Sequence, residues 1–249
     1  MTMTWGDQVF RYCERAQDAS FWAEPFNAAS NVGFLVVAAL GARRLVQLQA
    51  RASPDTRKGA LMPACLVALV ALIGIGSFLF HTTATRWARL ADVAPIGLFM
   101  VVYLVFALRS FLAWSWSRVA LAMALFLGIN EVTAAIMCPT RLLGITQYVR
   151  EPCLNGTMSY VPALATLLLV GALVHRRHPA GRQLLIAAGL FLVAMMLRWS
   201  DAKVCPWTSV LGRPRGTHAL WHAINAVTMY VLLMAAIEGR GGSPRPGRA

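Results

Sequence analysis

The chain has 249 residues, 58% hydrophobic and only 13% charged, with 23 lysines and arginines against 10 acidic residues. A soluble domain carries about 25% charged residues, so the composition excludes an ordinary soluble protein and points to a polytopic membrane domain. The formal charge of +13 is no nucleic-acid footprint, because the basic residues sit between apolar segments and in the tail, where membrane topology requires them. The partners expected are a membrane and a lipid, with no nucleic acid and no obligate protein partner.

Residues 1–25 hold Asp7, Glu14, Asp18 and Glu24 and lack the basic-then-apolar order of a cleavable signal, so this stretch reads as a retained, aromatic-rich interfacial segment outside the bilayer. A transmembrane helix needs about 20 mostly apolar residues. Candidate spans follow at 26–42, 61–80, 92–112, 119–137, 157–174, 184–199 and 218–237. The expected fold is all-α: an integral membrane bundle of seven helices occupying 26–238. A Gly-, Pro- and Arg-rich cytoplasmic tail follows at 239–249, read as disordered. With the N-terminus outside, thirteen basic residues fall on inner segments and nine on outer ones, which favours an outer N-terminus and a cytoplasmic C-terminus.

This topology gathers one set of polar residues at one depth. The second span ends at His81, the third begins at Asp92 and the seventh begins at His218, all towards the outer side. Ser77 and His81 stand four apart on one helical face, as do His218 and His222. Ionisable side chains inside a membrane are costly and mark function by default. Three imidazoles suit zinc, and three protein ligands leave a fourth position for water, the pattern of a catalytic site. Ser77 and Asp92 are the candidate catalytic partners. No glutamate follows His218, so the His-Glu-x-x-His arrangement is absent.

Other polar residues have blander readings. His175 and His178 fall in an Arg-rich inner loop and read as solvated. Glu131, in the outer half of the fourth span, is balanced between substrate contact and structural pairing, and Trp221 is a further candidate for substrate contact. Arg198 and Asp201 read as a structural pair at the interface. Cys13, Cys138, Cys153 and Cys205 fall on outer segments, an even number that fits disulfides in an oxidising compartment. Their pairing does not follow from spacing, although Cys138 and Cys153 flank one short loop.

The motifs Tyr12-Cys13-Glu14, Glu24-Pro25-Phe26-Asn27 and Ser30-Asn31 resemble the N-terminal signature of the alkaline ceramidases. Gly76-Ser77-Phe78-Leu79-Phe80-His81, Asp92 with Pro95, and His218-x-x-Trp221-His222 resemble that family's three active-site motifs. The resemblance runs from about Phe10 to Tyr230. It implies a seven-helix membrane hydrolase of the superfamily that includes the adiponectin receptors, cleaving the N-acyl amide of ceramide, or of a ceramide-like lipid, to a sphingoid base and a fatty acid. Zinc would be held by His81, His218 and His222, with Ser77 and Asp92 completing the site. It also implies a Cys13–Cys205 disulfide, which leaves Cys138 and Cys153 for each other.

Eukaryotic members of that family look to carry calcium in the N-terminal segment, and Glu14 and Glu24 match two of its ligands. Arg11 and Ala16 stand where acidic and amide ligands are expected, which argues against calcium, an ion that prefers six to eight oxygens. Asp18 is the available substitute ligand, and Arg11 is the cation placed to pair with Glu14 or Glu24 instead. The lean, Ala- and Arg-rich chain suggests a bacterial inner-membrane protein with its site on the extracytoplasmic side. The alternative is a receptor-like or lipid-binding seven-helix protein whose zinc is structural.

Overall fold

A computed structural model of the protein describes residues 4–51, 59–141, 148–175, 178–210 and 212–239. The tail beyond 239 lies outside the described residues, as do Arg57, Lys58, Arg176 and Arg177, which entered the orientation count. A short helix α1 (Pro25–Ser30) leads into α2 (Val32–Ala50), followed by α3 (Leu61–Thr83), α4 (Arg86–Ser110) and α5 (Trp116–Ala134). A hairpin of β1 (Met137–Arg141) and β2 (Tyr148–Pro152) and a 3-10 turn at Thr157–Tyr160 precede α6 (Val161–His175) and α7 (Ala180–Val204). A second, minimal hairpin, β3 (Ser209–Val210) with β4 (Arg213–Pro214), leads to α8 (His218–Glu238).

Among the described residues, seven helices are long and apolar enough to cross a membrane, α1 and α2 counting as one span. The protein is an integral membrane protein of helical type. In a bilayer each backbone N–H and C=O must be satisfied within the protein, which helices do unaided. The helices form a ring in chain order: α2 packs on α3, α3 on α4, α6 on α7 and α7 on α8, while α8 returns to α2. The α5 helix closes the ring between α4 and α6 through sparser contacts, with only Val119 and Phe126 buried along it.

The spans at 61–80 and 218–237 match α3 and α8 closely. The third span is longer than expected, because α4 starts at Arg86 and Asp92 lies two turns inside it. Only Ala84, left-handed at φ 50°, and Thr85 separate α3 from α4. Neither hairpin was anticipated, since each is too short for a recognisable alternation.

The tightest helix pair explains how two site residues meet. Pro95 has no N–H, so the Ala91 carbonyl, four residues earlier in α4, loses its helical donor. The backbone of Gly76 packs against that carbonyl so closely that a Cβ there would collide with it. Ser77 follows Gly76 and Asp92 follows Ala91, so this crossing presses the two side chains together. Gly76→Ala is expected to force the helices apart and destabilise the protein by about 1–3 kcal/mol. Thermal unfolding in detergent measures this, and hydrolysis should fall with it because Ser77 and Asp92 separate.

Candidate metal centre

His81 ends α3, while His218 and His222 occupy the first turns of α8. All three are buried, and their ligand atoms lie within 4.8 Å of one another. The second ring nitrogens determine which atoms remain for an ion. His81 Nδ1 lies 2.6 Å from a Glu24 carboxylate oxygen, and His222 Nδ1 lies 3.2 Å from the Asn27 carbonyl and 2.7 Å from Ser30 Oγ. A carbonyl and a carboxylate accept only, so both Nδ1 atoms carry the proton and both Nε2 atoms present lone pairs. His81 Nε2 and His218 Nδ1 are buried without a hydrogen-bond partner. Buried polar atoms are normally paired, so three converging imidazoles, two of them with an orphaned nitrogen, fit a metal ion. Carboxylate–histidine and carbonyl–histidine contacts of this kind orient ligands in metal sites.

Each ligand-bearing element is fixed by its surroundings. The Asp201 carboxylate on α7 accepts the backbone N–H groups of Thr217 (2.8 Å), His218 (3.0 Å) and Cys13 (3.2 Å). A carboxylate at a helix N-terminus satisfies otherwise unpaired donors and complements the helix dipole. Gly216, at φ +64°, lets the chain turn against Asp201, where any side chain would clash with that carboxylate. Tyr12 stacks on His218 with ring centroids 3.8 Å apart. Burial, opposed by nearby Arg198, raises the Tyr12 phenol above its ordinary value.

The N-terminal segment is therefore not a loose interfacial stretch: Tyr12, Cys13, Glu14 and Arg15 are buried against the site. It is pinned by a Cys13–Cys205 disulfide, Cα atoms 5.6 Å apart, and by Val9 N–H to the Ala84 carbonyl at 2.6 Å. Cys138 and Cys153 form the second disulfide, Cα atoms 4.8 Å apart, and Cys65 is free. Both pairings implied by the family resemblance are present.

The acidic residues of this segment do not fit calcium. One Glu24 oxygen takes Arg15 Nε at 2.6 Å, and the other takes His81 Nδ1 and the Asn27 amide at 2.9 Å. The Glu14 carboxylate accepts the N–H groups of Phe26 and Asn27 and pairs with Arg215 at 2.8 Å. Asp18 is exposed and accepts Ser20 N–H. The carboxylates are consumed by internal donors, with Arg15 on Glu24 and Arg215 on Glu14. Burial opposes ionisation of Glu24, but His81, Asn27 and Arg15 outweigh it and hold the carboxyl below its ordinary range. Its stabilising contribution is present at pH above the ordinary carboxylate range and is lost as pH falls through the lowered folded value.

A cavity of about 290 Å³ runs from the site into the bundle, lined by Ser77, Asp92, His218 and His222 at one end and by Phe99, Leu104, Leu167 and Leu184 further in. It is an amphipathic chamber with its polar groups at the metal end, which suits one polar head and an acyl chain. Ser77 sits beside the Asp92 carboxylate as its hydrogen-bonding neighbour.

With the fold and this geometry in view, a family model described as Ceramidase matches residues 10–240. The chain belongs to the Ceramidase family. No curated protein matches it at the level of whole-sequence comparison. The family is one of membrane hydrolases acting on the amide of ceramide, and the match covers every residue of the centre.

The structure brings Ser77, Asp92, His218, Trp221 and His222 to one chamber, and His81 converges with the other two histidines at its edge. Glu131 is exposed and outside the cavity lining. Arg198 and Asp201 do not form an ion pair among the described residues: Asp201 caps α8, and Arg198 turns into the cavity. His178 is not solvated; it is buried, accepts Ala180 N–H and lies 3.0 Å from the Gly239 carbonyl, while His175 is exposed. Sequence reasoning missed Arg15, Ser30 and the contact of Glu24 with His81. The available signal was a basic residue between acidic ones in a segment otherwise short of solvent-facing pattern.

Proposed function

We propose that the protein is a zinc-dependent intramembrane amidohydrolase that cleaves the N-acyl amide of ceramide or a ceramide-like lipid to a sphingoid base and a fatty acid. The observation that carries this reading is the convergence of three buried histidines, two of them with orphaned nitrogens, beside a Ser77–Asp92 pair at the end of an acyl-sized cavity. The donor set of three neutral imidazoles is that of zinc, which supplies Lewis acidity and an acidified water when bound.

The chain's own residues perform the remaining work. Asp92 is the group placed to take a proton from the attacking water and deliver it to the amide nitrogen as the C–N bond breaks. Ser77, whose single O–H lies on Asp92, would turn that donor to the carbonyl oxygen once Asp92 holds the proton. Glu24 and the Asn27 carbonyl hold the His81 and His222 rings in the ligating tautomer. The apolar lining excludes water from the acyl chain. The two disulfides lie on segments that this topology places outside, consistent with an oxidising, extracytoplasmic face in a bacterial inner membrane.

Purified protein incubated with ceramides of several acyl lengths is expected to release sphingoid base and fatty acid in equal amounts. Removal of metal with a strong chelator should stop release, and zinc should restore it. Intact lipid throughout, with zinc still bound, would turn the reading towards a lipid-binding protein with a structural metal.

A further inference from the structure

The polar end of the cavity is strongly cationic. Apart from the metal histidines, its charged lining consists of Arg11, Arg89 and Arg198 against a single carboxylate, Asp92. Arg198 is the most telling of them. It is 8% exposed, sits in the last turns of α7 at the level of His218, and is enclosed by Trp221, Tyr160 and Tyr12, whose ring centroids lie 5.4, 5.6 and 5.8 Å from the guanidinium carbon. Its NH1 donates to the Tyr12 hydroxyl at 3.2 Å, and its Nε is buried with no partner. No carboxylate pairs with it among the described ion pairs, and its neighbour Asp201 is committed to three backbone amides. Arg89 is exposed one turn into α4, and Arg11 is adjacent to Tyr12.

A guanidinium held in a membrane bundle is expensive unless an anion or strong acceptor meets it. Cation–π contacts offset part of that cost but leave the Nε donor unused. A neutral hydroxylated headgroup gives no reason to enclose the Arg198 guanidinium with its Nε donor unused, whereas planar guanidinium donors match phosphate and carboxylate oxygens. A divalent metal on three neutral imidazoles would make this end more positive still.

We infer that the headgroup subsite formed by Arg198, Arg89 and Arg11 selects an N-acyl lipid with an anionic headgroup, a phosphate or carboxylate close to the amide, over a neutral ceramide of the same acyl chain. This rests on the proposed hydrolase reading and names the substrate class of the same site. The acyl chain lies in the apolar part of the cavity, the amide meets Ser77 and Asp92, and the anion faces the arginines.

The test compares initial rates on three lipids of one acyl length: neutral ceramide, its 1-phosphate, and an N-acyl amino acid. The wild type should favour at least one anionic lipid by about tenfold or more in kcat/KM, chiefly through KM. Arg89→Gln, on an exposed side chain, should cut the anionic-to-neutral ratio several-fold, and raised salt should do the same. Arg198→Gln should cut it by about tenfold or more. The phosphate and carboxylate arms show which anion the subsite takes. Equal or faster turnover of neutral ceramide, or a ratio unmoved by both variants, overturns the inference while leaving the hydrolase intact. Binding of the same lipids, read by native mass spectrometry, runs alongside. If none is cleaved, the hydrolase reading fails, and preferential binding of anionic lipid that Arg89→Gln abolishes still upholds the subsite, whereas indifferent binding removes it.

Discussion

Replacing His81 or His222 with alanine should lower lipid amide hydrolysis by on the order of a thousandfold or more while the chain still inserts and folds. The two histidines reach the centre from different helices, α3 and α8, and each has one nitrogen committed to the protein: His81 to Glu24 and His222 to Asn27 and Ser30. On the proposed reading alanine deletes a metal ligand and frees those partners, but α3 and α8 remain packed on their neighbours through the apolar ring. Metal content by mass spectrometry should fall from about one ion per chain to near none, with little change in helical signal. Full metal occupancy alongside lost turnover would mean that these histidines do something other than ligate. Glu24→Gln is the graded version: the His81 ring keeps a neighbour but loses a carboxylate, and metal affinity should weaken by about 10–100-fold.

Arg15→Met should be the most destabilising single change in the N-terminal segment. The Arg15 side chain is 1% exposed, and each arm of its guanidinium is engaged: Nε on Glu24, NH1 on the carbonyls of Asp18 and Ser20, NH2 on those of His81 and Thr82. It thus ties the segment, the carboxylate behind His81 and the carbonyl end of α3 into one unit. Removing one partner of a buried ion pair leaves the other charge unpaired at a cost of about 3–5 kcal/mol. For a chain of this size that corresponds to a melting point lower by roughly 10 °C. The double variant Arg15→Met with Glu24→Gln should recover part of the loss, because no buried charge is then stranded. Added calcium should change neither hydrolysis nor melting, since the oxygens it would need already hold Arg15, Arg215 and backbone amides. A clear rise in melting point with calcium would count against this account.

The bundle was legible because membrane solvation imposes a simple code: long apolar runs must be helices, and their ends carry the charges. The His81 and His218–His222 pairs were legible for a related reason, since ionisable groups at span ends stand out against an apolar background. What the code does not carry is lateral detail. Nothing in the spacing of Arg198 and Asp201 says that one turns into the cavity and the other caps α8. That outcome depends on Tyr12, a residue 186 positions away from Arg198. The role of Arg15 was hidden likewise, because its partners are mostly backbone carbonyls, which every residue has.

The centre draws on residues 24–30, 77–92 and 218–222, and Gly33 near the start of α2 packs against Ala226 in α8. The first and seventh of the described spans are therefore direct neighbours, and the disulfide across 192 positions ties the N-terminal segment to the stretch just before the seventh. A chain not yet extended through α8 lacks both His218 and His222, so the three-histidine centre cannot assemble before the last span is made. The centre is thus a property of the finished bundle, closed only when the seventh span packs against the first.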